Sequence, residues 1–146
     1  MAKAAAAPLG YSGTPLPKKL GLKDGQRALF IDLPKSLASL KTSAALVAAD
    51  AGTWDKLKSA KSYDFIHGFT TSRAVLEKAA KPLMSAITRD GMIWISWPKK
   101  ASKVPTDITE DVIREVVLPI GLVDVKVAAV DEIWSGLKLV IRKELR

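Results

Sequence analysis

Cysteine is absent from this sequence and histidine occurs once, so disulfides, thiolate catalysis and the three or four ligands of an ordinary zinc site are excluded. A magnesium site built from scattered aspartates stays open. No stretch approaches the ~20 apolar residues that cross a bilayer, so no membrane association is expected. Pro8 and Gly10 interrupt Ala4 to Ala7 before the apolar core of an export signal can form. Residues 1–9 therefore read as a short flexible tail, and the protein as cytoplasmic. Glycine occurs nine times, yet no two glycines are separated by a single residue. The Gly-x-Gly turn that lets backbone approach a dinucleotide or S-adenosylmethionine is thus missing. No Lys-Ser or Lys-Thr follows a Gly-x-x-x-x-Gly spacing, which excludes a Walker loop. Gly10-Tyr11-Ser12-Gly13 lacks the spacing of a nucleophile elbow.

Acidic residues are also scarce, 15 against 23 lysines and arginines, and the formal net charge is +8. Such a field favours anionic partners: nucleic acid, nucleotides, acidic proteins or acidic lipid. The charge is dispersed. Doublets such as Lys18-Lys19 and Lys99-Lys100 fall short of the basic block that would argue directly for nucleic acid.

What is present suits one domain, residues 10–146, large enough to bury a real core. Thr14-Pro15 reads as a helix cap with proline at the first helical position, and Gly21 closes that short helix. A strand over Arg27 to Leu33 ends at Pro34. A short helix at Ser36 to Leu40 and a strand at Ala44 to Ala48 follow, then a polar loop from Asp50 to Ser62. Asp50 would then stand after the second strand, where a carboxylate can bind a ribose, although a lone aspartate there is more often a turn residue. Tyr63 to Phe69 is a strand, and its His67, between Ile66 and Gly68, reads as a packed core residue rather than a base. Apolar residues from Leu76 to Ile87 recur with helical spacing over Ser72 to Ile87, and Pro82 should kink or split that helix. Asp90-Gly91 turns the chain into the strand Met92 to Trp97. Asp107 and Glu110 stand three apart, as an N-cap and its reciprocal partner do, before a helix stopped by Gly121. Val123 to Val130, with its odd-numbered positions on one face, and Leu137 to Arg142 are strands joined too tightly for a crossover, so they pair antiparallel.

Strands alternating with helices and closing on an antiparallel hairpin describe an α/β fold. The expected architecture is three-layer and Rossmann-like, a methyltransferase-type mixed sheet that is mostly parallel with a C-terminal antiparallel hairpin.

Four stretches in order, Gly10 to Leu16, Trp97-Pro98-Lys99-Lys100, Asp107 to Asp111 and Asp131 to Leu137, resemble the marker stretches of a bacterial family, the one catalogued as domain of unknown function 3052. The resemblance spans about Gly10 to Arg142. It implies a bacterial cytoplasmic protein with the fold above and brings no catalytic residues with it.

The residues themselves point to one corner. Trp97, Lys99 and Lys100 follow a central strand at the carboxyl edge of the sheet, where open α/β folds bind ligands. An indole face beside two ammonium groups suits an anion, and the next helix adds its N-terminal amides nearby. Tyr11 and Ser12 could fold over the same edge as a lid. Trp134-Ser135-Gly136 is a second candidate, as hairpin geometry or as an exposed surface at which sheet edges pair in a homodimer. The expectation is a non-catalytic domain without a cofactor, binding an anionic small molecule or an acidic partner. The alternatives are a divergent S-adenosylmethionine-dependent methyltransferase and a basic protein that associates with nucleic acid non-specifically.

Overall fold

A strand buried on both faces must be central, and Ile93 to Trp97 is buried residue after residue. The computed structural model describes residues 14–57 and 62–146. Its elements are α1 (Leu16–Leu20), β1 (Arg27–Ile31), β2 (Ala48–Gly52), β3 (Tyr63–Phe69), α2 (Arg73–Ala86), β4 (Ile87–Pro98), α3 (Glu110–Val117), β5 (Leu122–Ala129) and β6 (Trp134–Ile141). They form one six-stranded sheet in the order β2-β1-β3-β4-β6-β5. The first four strands are mutually parallel, and β6 runs antiparallel to both β4 and β5. The α/β class and mixed sheet are those expected.

The two faces are covered unequally. On one, α2 and α3 set Leu76, Leu83, Ile113 and Val117 against Ile66 and Ile95. On the other, the five-residue α1 and a 3-10 helix, Lys35–Thr42, bring Leu16, Leu20, Leu37 and Leu40 onto Phe30, Phe65 and Trp94. Each such side chain contributes about 1.5–3 kcal/mol on burial. The Trp94 indole donates to the Leu20 carbonyl at 2.7 Å and fixes α1 to the sheet. Gly136 stands beside it in the ladder because a Cβ there would lie 3.0 Å from Trp94 Cε3 and 3.1 Å from Ser96 Oγ.

Several boundaries differ from those read in the sequence. Pro15, not Thr14, occupies the cap position of α1, while Gly21 does close it in the left-handed region at φ 85°. The first strand ends at Ile31, before Asp32 adopts a φ of 53°. The second lies at Ala48–Gly52 rather than 44–48, because its register on β1 begins at Arg27↔Ala48. Pro82 does not split α2, which continues to Ala86. Asp90-Gly91 falls inside β4, within an irregularity where the pairing with β3 jumps from Tyr63↔Ile87 to Phe65↔Met92. A bulge between Asp124 and Lys126 breaks the expected alternation in β5, leaving Val125 and Val127 exposed.

The caps of α2 and α3 are also redistributed. Thr109 caps α3, accepting from the Val112 amide, whereas Asp107 accepts from the Arg73 amide at 2.7 Å and so serves the start of α2. Glu110 pairs with Arg114 instead of reaching back. Thr109→Ala and Asp107→Ala should therefore each cost about 1 kcal/mol in urea unfolding. If Asp107→Ala alone is destabilising, the assignment of Thr109 as the cap is wrong.

Candidate functional site

From β1 the chain crosses to β2 on one side, and from β3 to β4 on the other. That reversal opens a crevice above the carboxyl ends of β1 and β3, the usual ligand position in open α/β sheets. Here a side chain occupies it. Trp54, in a 3-10 turn just after β2, donates its indole N–H to the Phe69 carbonyl at 2.8 Å. Its ring lies over Gly68: a Cβ on that glycine would sit 2.4 Å from Cη2 and 2.6 Å from Cζ2. Glycine is thus required at 68 by the ring that covers it, and Trp54 packs against the core on the α2 and α3 side.

Two carboxyls flank the crevice, with Lys56 beside Asp55. Asp32 leaves β1 with its amide bonded to the Gly52 carbonyl at 3.1 Å. Burial first, and the charge of Asp55 second, push its carboxyl above the usual range. Asp55 is held below it, chiefly by the Thr53 hydroxyl, which donates to it at 2.7 Å. After Asp32, Leu33-Pro34 leads into the 3-10 helix Lys35–Thr42, so no α-helix N-terminus faces the strand end. Two carboxyls and an indole do not make an anion site.

The residues singled out in the sequence are dispersed. Trp97 is 8% exposed and packs in the core between the sheet and the helical layer, so its indole face is not free to receive a ligand. Lys99 donates its amide to the Ile133 carbonyl and carries its charge toward Lys19 of α1, on the other side of the sheet. Lys100 is exposed and opens a 3-10 turn. None of Trp97, Lys99 and Lys100 lines any of five cavities among the described residues. Tyr11 and Ser12 lie outside the described residues. Asp50 falls in the middle of β2, opposite Leu29, and accepts from the Tyr63 hydroxyl at 2.6 Å rather than standing at a strand end. Trp134 is half-buried, edge-on to Phe69 at 5.2 Å. Its turn is built by Asp131, which accepts from the amides of Ile133 and Trp134.

His67 is a core residue, as expected, completely buried with Nε2 2.7 Å from Ser96 Oγ and its ring stacked on Phe69. Its Nδ1 has no partner.

A grouping not visible in the sequence lies on the thinly covered face. Phe30, His67, Trp94, Lys138 and Lys126 form one row across β1, β3, β4, β6 and β5. The row passes from apolar to basic where α1 ends. Lys126 and Lys138 stand directly opposite each other, and Lys19 reaches over the sheet to donate to the Ala129 carbonyl at 3.1 Å. Desolvation, then Lys126 and Lys99, lowers the Lys19 pKa; desolvation, then Lys126 and Lys23, lowers that of Lys138. The five lysines share one positive field. Separations of up to 119 residues hid it from a linear reading, and the only trace there was a lysine amid apolar residues in each of the last two strands.

Known structures supply the comparison. No family model matches the chain, and no curated protein matches it. Among solved structures it is similar to an S-adenosylmethionine-dependent methyltransferase from Aquifex aeolicus, with a TM-score of 0.64 and 17% identity over 94% of this chain and 93% of that one. It is similar also to a phosphoethanolamine N-methyltransferase of Haemonchus contortus, with a TM-score of 0.63 and 11% identity, covering 88% of this chain but 52% of that chain. The DhpI structure in complex with S-adenosylhomocysteine gives a TM-score of 0.60 and 11% identity over 96% and 86% of the two chains. The fold is methyltransferase-type and Rossmann-like.

Two outcomes follow from the geometry. Gly68→Ala should cost about 1–3 kcal/mol, since the new methyl must expel the Trp54 ring; an unchanged urea midpoint would mean that the ring does not sit there. Burial lowers the His67 pKa to about 3. The folded state thus disfavours the proton that the unfolded chain accepts near pH 6.5, and stability is full above that value and falls as the pH drops toward 3. The slope approaches about 1.4 kcal/mol per pH unit for this one group. His67→Gln should flatten stability between those limits, measured by urea unfolding across pH.

Proposed function

We propose that this chain is a non-catalytic domain of methyltransferase type that binds an anionic partner. The observation that carries the reading is Trp54, seated over Gly68 in the crevice where a cofactor would lie. Three features support it: the exit from β1 has no glycine turn and no following α-helix, the crevice is lined by Asp32 and Asp55, and the excess of lysine lies elsewhere. The buried His67 offers little to proton transfer, since burial pushes its pKa down and it lines none of five cavities among the described residues. Kinship with the bacterial family of domain of unknown function 3052, and a cytoplasmic setting, are part of this reading and rest on the four sequence stretches.

The second reading, a divergent S-adenosylmethionine-dependent methyltransferase, is favoured by the neighbours in structure space. Isothermal titration separates the two. The full chain should give no saturable heat with S-adenosylmethionine or S-adenosylhomocysteine. A Kd of about 10 μM or tighter, near −6.8 kcal/mol, would overturn the non-catalytic reading.

A further inference from the structure

We infer that the sheet face bearing Lys19, Lys23, Lys99, Lys126 and Lys138 binds the phosphodiester backbone of nucleic acid without reading its sequence. The inference rests on the non-catalytic reading above and names the anionic partner which that reading leaves open.

Charge comes first, uncompensated by any carboxylate among the described residues at Lys23, Lys126 and Lys138. Six ion pairs among the described residues use arginine, with Arg73, Arg114 and Arg142 holding Glu77, Glu115, Glu110, Asp111, Asp124 and Glu144. Most of those acids lie on α2, α3 or the part of β5 beside α3. Lys23, Lys126 and Lys138 have no carboxylate partner among the described residues. The nearby Asp24 and Asp131 are engaged with backbone amides of Ala45, Ile133 and Trp134. Two lysines opposite each other in a ladder repel, and such a pair is destabilising unless something anionic covers it.

Shape then selects the partner. A small anion needs a concavity with converging donors, and none of five cavities among the described residues is lined by any of these lysines. A bilayer needs apolar side chains to insert, and Leu20 and Trp94, beneath the lysines, are fully buried. An extended polyanion needs only spaced point charges on flexible stems, which is what lysines on two strands, one helix and two connecting segments provide. Nothing on this face offers the planar fork that reads base edges.

The test is fluorescence anisotropy of the full chain with a labelled mixed-sequence duplex and a labelled single strand, across a salt series. With about four phosphates neutralised, the log–log slope should be about −3.6 and affinity should fall about 150-fold between about 50 and 200 mM salt. Neutralising the face with Lys23→Gln, Lys126→Gln and Lys138→Gln together should weaken binding by about 30-fold or more and reduce the slope by about 2.7. Lys56→Gln, Lys78→Gln and Lys81→Gln, with the same net charge, should change affinity less than about threefold. Equal losses in the two triple variants, no binding at low salt, or tight sequence-selective binding at high salt would each overturn the assignment. So would equal, lysine-dependent binding to phosphatidylserine vesicles, which would name a lipid surface instead. Methyl transfer to the bound nucleic acid from S-adenosylmethionine would overturn the non-catalytic reading and leave the face intact.

Discussion

The hydrogen bond from the Trp94 indole to the Leu20 carbonyl holds the thin side of this protein together. A six-stranded sheet needs cover on both faces, and on this one the described residues supply a five-residue helix and a 3-10 helix. A helix that short has no stability of its own. It stays because Leu16 and Leu20 are buried and because a fully buried indole would otherwise lose its donor's partner, at a cost of about 1–3 kcal/mol. The geometry of Trp94 then dictates its neighbours. A Cβ at Gly136 would crowd the Trp94 ring, Ser96 turns to His67, and His67 stacks on Phe69. Where α1 runs out, the same row of the sheet can only be polar, and Lys138 and Lys126 complete it.

The two ends of the molecule's chemistry are thereby separated. The carboxyl-edge crevice, the place to look first in a fold of this kind, carries an indole and two acids. The positive field sits on a flat surface around α1. A fold is a scaffold on which sites are placed independently, and likeness to methyltransferases at 9–17% identity speaks to the scaffold alone.

Much of that scaffold was legible. Tyr63 to Phe69, the long helix through Leu76 and Leu83, and the closing hairpin carry strong periodicity, and their pairing follows from connection length. The region from Lys35 to Leu57 was not, because the strand Ala48–Gly52 is built of Ala, Asp and Gly and is mostly exposed, so no hydrophobic pattern marks it. Asp107 misled for a different reason: an aspartate three residues before a glutamate is a local signal, while the amide it accepts from is 34 residues away. The crevice residue Trp54 was hidden in a polar loop. Gly68 carried no signal in the sequence, because the ring that requires it comes from Trp54, fourteen residues earlier. Trp97 was misjudged because an indole at a strand end is as easily core as surface, and only the position of α2 and α3 decides.

The edge of the sheet at β5 has a bearing on solubility. An exposed strand with Val125 and Val127 at 52% and 47% accessibility would ordinarily invite another strand to add to it. The bulge at Asp124 and Lys126 bends the ladder there, and a second copy docking antiparallel about this point would bring its own Lys126 against the first. The same lysine that contributes to the positive face therefore also keeps the chain from templating its own aggregation.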